Sequence, residues 1–183
     1  NYFLLIGVFI IFIYFIVHSF FYKNYKLLYF ILFAVSLIPK LFFLLSSKYD
    51  LQGLYDIDAH IFYIKYVATN FSLPLPESCF ECYQQPTYYI TAAVIYRLAQ
   101  IIGFVAQDSL IKILQFYSLL IYQLFLFVGI LTINLAINNR KRAALASGLL
   151  LFWSSGVFHS VRIGNDVFNY LISIFAKYLQ AQL

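Results

Sequence analysis

Long apolar runs alternate with short polar breaks along most of this chain. A helix that crosses a bilayer needs about 20 apolar residues. Tyr2–Tyr22 meets that need with only His18 and Ser19 as polar interruptions, and Leu27–Ser47 meets it with Pro39 and Lys40 near one end. Gln115–Ile137 and Ala143–Phe158 read as a third and a fourth span, and 167–183 opens a fifth. The pattern predicts an all-α fold, a polytopic transmembrane helix bundle. A long region, 48–109, separates the second span from the third. Within it Ile57–Asn70 has the helical period of about 100° per residue. Tyr88–Gly103 is apolar but short, and it carries Arg97 and Gln100.

Lys and Arg in short loops mark the cytoplasmic side. Lys23 and Lys26 lie between the first two spans, and Arg140, Lys141 and Arg142 between the third and fourth. Both loops are therefore expected inside, and 48–109 outside. If Tyr88–Gly103 crossed, the Asn139–Arg142 loop would land outside against that rule. The segment is expected at the outer interface or re-entering partway. The alternative is a short true span from which Arg97 snorkels. The same bookkeeping puts Ser160–Asp166 outside, on the face of the Asp56 loop.

Composition agrees. Hydrophobic residues are 63% of the chain, charged residues 10%, and the mean hydropathy is +0.85. Soluble domains run near a quarter charged, so this chain could not cover a water-facing surface. The net charge of +5 forms no basic stripe, so it fits membrane topology and excludes a nucleic-acid partner. No Met occurs, the first residue is Asn1, and Leu183 follows an apolar run, so the chain reads as part of a longer protein.

Most of the available chemistry lies between Tyr55 and Tyr89. Asp56, Asp58, His60, Glu77 and Glu81 all fall there. On a helical wheel Asp56 and His60 share a face, whereas Asp58 points away beside Lys65 and Thr69. A carboxylate with a neighbouring imidazole can act as a general base or bind a metal. Asp56 also suits a helix N-cap, and the two roles are compatible. The divergence of Asp56 and Asp58 argues against joint metal binding.

Cys79 and Cys82 form a lone C-x-x-C. Without a second pair a structural zinc site is disfavoured. A disulfide, free thiols and a metal or redox pair remain open. Gln85-Pro86 before Tyr88-Tyr89 reads as a turn feeding a helix, with Pro at a favourable first position. Lys112 and Gln115 open the third span, where Lys112 is expected to snorkel. Arg162 and Asp166 flank Gly164-Asn165, either as an anchoring turn with an N-cap or as part of a site.

Taken in order, these segments resemble a known family. They are Asp56-Ile57-Asp58-Ala59-His60, Leu73-Pro74-Leu75-Pro76, and Tyr83-Gln84-Gln85-Pro86-Thr87-Tyr88-Tyr89-Ile90-Thr91-Ala92-Ala93 running on to Tyr96-Arg97-Leu98. Gly164-Asn165-Asp166 follows much later. The set resembles the GT-C fold polytopic glycosyltransferases that take sugar from a polyprenyl phosphate. That group includes protein O-mannosyltransferases and bacterial aminoarabinose transferases. The resemblance covers about Leu27 to Leu183. The chain departs from the family where Asp56-Ile57 stands for Asp-Glu, where Gln85-Pro86 stands for Pro-Pro, and in the extra span Tyr2–Tyr22.

The resemblance implies that 1–183 is the N-terminal part of a membrane-embedded glycosyltransferase domain of the cell envelope, in the plasma (inner) membrane with its active site outside. Asp56 would be the catalytic base. It would deprotonate a lipid, glycan or protein acceptor hydroxyl, which attacks the sugar of a polyprenyl-phosphate-linked donor with inversion. Substrate binding would fall to His60, Asp58, Gln85, Tyr88, Lys112, Arg162, Asn165 and Asp166. Arg162 and Lys112 would face the leaving phosphate. A divalent metal and a metal-free mechanism both remain open. Two other classes are compatible with the same polar clusters: a non-enzymatic transporter or assembly subunit, and a lipid-linked glycan polymerase or acyltransferase.

Overall fold

A computed structural model describes Val17 and residues 24–47 and 57–182. The expected span Tyr2–Tyr22, Val17 apart, and the expected base Asp56 lie outside the described residues. The described residues form seven α-helices and no strand. The all-α expectation holds at that level.

Helix α1 spans Tyr25–Ser46. Asn24 starts it, its Oδ1 accepting the Leu27 N–H at 3.2 Å. Its 22 residues rise about 33 Å, enough to cross hydrocarbon. Pro39 lies inside α1 and removes one helical N–H. Helix α2 spans Ile57–Asn70, the range its periodicity predicts. It buries Ile57, Ile61, Ile64 and Ala68 along one face, at the spacing of successive turns.

After a single 3₁₀ turn at Pro76–Ser78, helix α3 covers Thr87–Ile102. Its buried face of Tyr88, Tyr89, Ala92 and Ala93 packs on α2. Small alanines let the two helices approach closely. Gly103 ends α3 at φ 105°, a left-handed stop that glycine adopts without strain.

Helix α4, Gln107–Ala136, begins at Gln107 rather than at the expected Gln115. Nothing between Gln107 and Gln115 breaks a helix, and Asp108 suits the first turn, so the polar lead extends the apolar rod. It packs against α1, α3 and two later helices, and most extensively against the last.

The expected fourth span, Ala143–Phe158, is not one helix. It divides into α5, Arg140–Leu151, and α6, Ser154–His159. Helix α5 rises only about 18 Å, too little to cross alone. The break falls at Phe152-Trp153, before the weak helix formers Ser154, Ser155 and Gly156. Two tertiary contacts hold it open. Lys40 Nζ donates to the Leu151 carbonyl at 3.4 Å and to Ser36 O at 2.6 Å. The Tyr122 hydroxyl sits so close to Gly156 that a Cβ there would lie 2.2 Å from it. Helix α7, Asp166–Gln180, occupies the fifth expected span but rises only about 22 Å.

Helices α1 and α4 are the two among the described residues that are long and apolar enough to cross a membrane. Their outer faces are greasy. Phe42 and Leu45 of α1 are 74% and 79% exposed, and α4 exposes Phe116, Leu120, Leu124, Phe127, Leu131 and Leu135 at turn spacing. Patches of that extent are rare on soluble monomers.

The bundle has two unlike ends. At one, Tyr29 donates to Asn134 at 2.7 Å, and Lys26 and Arg140 line a shared cavity. The two basic loops expected inside thus lie together. At the other, Lys112 Nζ donates to Leu44 O at 2.6 Å, to Ser47 O, and to Ser47 Oγ at 3.4 Å. A cation on the last carbonyls of a helix is a favourable C-terminal cap.

Candidate functional site

The main core runs through α2, α3, α4 and α7, and one edge of it is polar. His60 is the centre of that edge. It lies on the buried face of α2, one turn after Ile57, and is 3% exposed. Its Nδ1 is 2.7 Å from the Tyr89 hydroxyl. Tyr89 donates to Gln84 Oε1 at 2.8 Å, and Gln84 Nε2 donates to Glu81 Oε2. Tyr63 stacks on Tyr89 with ring centroids 3.9 Å apart.

This chain of four groups has a direction. An ionised carboxylate only accepts, so Glu81 turns the Gln84 amide nitrogen toward itself and the amide oxygen toward Tyr89. Tyr89 must then donate to that oxygen, and its own oxygen is left to accept from His60 Nδ1–H. In neutral His60 the basic lone pair is therefore on Nε2. Burial, and next the Glu81 charge, push the Tyr89 phenol well above its usual range, so it stays protonated.

The Nε2 edge of His60 meets Gly164. A Cβ on Gly164 would lie 3.3 Å from Nε2 and 3.4 Å from Cε1. Tyr88 is fastened nearby: its hydroxyl pairs with Ser118 Oγ at 2.9 Å and with the Gly164 backbone. Burial pushes the Tyr88 phenol up as well. Asn165 is buried beside Gly164, and Asp166 is half-exposed with Oδ2 3.6 Å from the Arg162 guanidinium. Two polar segments about a hundred residues apart in sequence thus meet at one place.

The remaining site expectations are distributed as follows. Asp58 is exposed on the outward face of α2, with Lys65 half-buried and Thr69 exposed. Gln85 is exposed, and Gln84 beside it joins the network instead. Lys112 donates to the Leu44 and Ser47 carbonyls and to Ser47 Oγ at the end of α1. Cys79 and Cys82 form a disulfide that encloses Glu81 in its turn. Among the described residues no three His, Cys, Asp or Glu side chains gather as metal ligands.

Sequence reasoning passed over Tyr89, Gln84 and the pairing of Gly164 with His60. Only the crossing of α2 and α3 brings the first two to the histidine. No family model, curated protein or solved structure matches the chain.

Proposed function

We propose that the chain is a membrane-embedded glycosyltransferase of GT-C type, acting on the outer membrane face. The observation that supports this reading best is the meeting of His60 with Gly164-Asn165-Asp166, at a distance from the Lys26/Arg140 end. Lipid-phosphate chemistry at an interface needs a base, a phosphate partner and a greasy slot beside them. Asp56, one residue before α2, is the base in this reading and removes the acceptor hydroxyl proton. The freed oxygen attacks the anomeric carbon, and polyprenyl phosphate leaves with inversion. Arg162 answers the leaving phosphate. His60 positions the base, its Nδ1 proton held by Tyr89. The slot is a groove of about 680 Å³ between α2 and α3, lined by Val67, Phe71, Ile90, Val94 and Arg97 among others. Arg97 lies over the Phe71 ring at 5.6 Å.

The test is turnover of the liposome-reconstituted protein with a panel of polyprenyl-phosphate sugars. Release of polyprenyl phosphate that depends on acceptor and on Asp56 supports the reading. Donor release that ignores Asp56 removes it.

A second reading, a transporter or assembly subunit, is favoured by one feature. Lys40 and Gln115 are buried inside α1 and α4, and neither amide atom of Gln115 has a hydrogen-bond partner. Solute flux without sugar transfer in the same liposomes would favour it.

A further inference from the structure

Asn70-Phe71-Ser72 joins the end of α2 to the loop that leads to Cys79. Of the asparagines in the sequence, Asn70 alone has Ser or Thr two residues on, and the residue between them is not Pro. Asn-X-Ser/Thr is the acceptor pattern for N-linked sugar, used on surface loops outside the cytoplasm.

The local geometry suits an acceptor. Asn70, Phe71 and Ser72 are all exposed. Helix α2 stops here because Phe71 turns to φ 53°, in the left-handed region, so the chain leaves the helix in a bend. Asn70 Nδ2 donates to the Tyr66 carbonyl at 3.1 Å, one turn back in the same helix. A side-chain amide carries two N–H hydrogens, so one is left for that bond after a sugar replaces the other.

The position in the bundle suits it too. Helices α2 and α3 run parallel, since His60 meets Tyr89 near their starts and Arg97 lies over Phe71 toward their ends. The start of α3 is fastened well inside α4 by Tyr88 and Ser118, and its end turns at Gly103 toward the start of α4. Ten residues of helix therefore carry Asn70 about 15 Å from His60, toward the beginning of α4. That is the end where Lys112 caps α1, not the Lys26/Arg140 end. The Cys79–Cys82 disulfide on the same loop is an independent observation. Disulfides persist in the oxidising compartments outside the cytoplasm.

We propose that Asn70 is the acceptor of an N-linked oligosaccharide. Its amide nitrogen attacks the anomeric carbon of an oligosaccharide carried on a lipid diphosphate. The N–C bond forms, the bond from that carbon to the diphosphate oxygen breaks, and one amide proton passes to the base of the transferring enzyme. Lipid diphosphate leaves. The inference rests on the outer placement of 48–109 and not on the glycosyltransferase reading, because a different enzyme makes the transfer.

Expression of the full chain in insect cells, with intact mass measured on the protein from membranes, tests it. The wild type should be heavier than its sequence by one glycan. Peptide N-glycosidase should remove the difference and leave an aspartate where the Asn70 amide was. Asn70→Gln and Ser72→Ala should each abolish the added mass, and Ser72→Thr should keep it. Arg140→Thr gives Asn138 the same acceptor pattern at the opposite end of the bundle, and that asparagine should stay bare. A bare wild type overturns the proposal. So does added mass that survives Asn70→Gln or Ser72→Ala. A glycan on Asn138 of the Arg140→Thr variant overturns it as well, by placing the inner loop outside.

Discussion

His60 Nδ1 lies 2.7 Å from the Tyr89 hydroxyl, and the direction of that hydrogen bond is set two residues further on, at Glu81. A carboxylate at the end of the relay decides which nitrogen of a buried imidazole carries the proton.

Tyr89→Phe should keep the ring on Tyr63 and remove the hydroxyl. His60 Nδ1–H and Gln84 Oε1 would then face a void. A buried polar group left unpaired costs about 1–3 kcal/mol. The melting temperature should fall and sugar transfer should weaken. A variant with wild-type melting and turnover would show that the relay has no role.

Glu81→Gln changes the direction without removing a partner. Gln84 is then able to turn over, and Tyr89 is able to donate to His60. Nitrogen NMR of labelled histidine should show the His60 tautomer shift from one dominant form to a mixture. A single unchanged tautomer would contradict the assigned direction.

Gly164→Ala would place a methyl 3.3 Å from His60 Nε2. The imidazole must shift by a few tenths of an ångström, a small structural change at the end of the Glu81–Gln84–Tyr89 relay. Turnover should fall while the protein remains folded, and His60→Ala should suppress most of the added effect. Additive losses in the double variant would mean that the two residues act separately.

Asp56→Asn should abolish transfer and Asp58→Asn should be milder. A positioned general base supplies a factor of about 10² to 10⁴, whereas a lost helix cap costs about 1 kcal/mol of stability and spares the rate. The assay is turnover in liposomes. Near-normal rates for the Asp56 variant, or a deeper loss for Asp58, would end the proposed mechanism.

Single cysteines at Asn139 and Thr87 should label from opposite sides of the membrane. Cys79 and Cys82 are joined to each other and do not interfere. Labelling of both positions from one side would refute the topology.

Periodicity alone located α2, because Ile57, Ile61, Ile64 and Ala68 repeat at turn spacing. It failed at 143–158. Leu149-Leu150-Leu151-Phe152-Trp153 reads as uninterrupted grease, and hydropathy cannot register a gap held open by Lys40 and Tyr122 from other helices. The site divides in the same way. That His60 points away from Asp58 followed from local spacing, and the structure adds that its face is the buried one. Its partners depended on how α3 crosses α2 and on where the loop before α7 returns, which no local pattern encodes. Gln85 was chosen over Gln84 for the same reason: neighbours in sequence, they differ only in which one the turn at Pro86 directs inward.

The contact between Lys40 and the Leu151 carbonyl also bears on how the helices can move. A smooth pair of apolar helices can slide in lipid with little resistance, since one ridge is much like the next. Here an ammonium from one helix is held at the end of another, above the Tyr122 ring at 5.8 Å. Sliding by a single turn would part that ammonium from the carbonyl and leave both polar groups buried without this contact, a costly arrangement. The break between α5 and α6 thus acts as a detent, a contact that favours one axial register of α1 against α5.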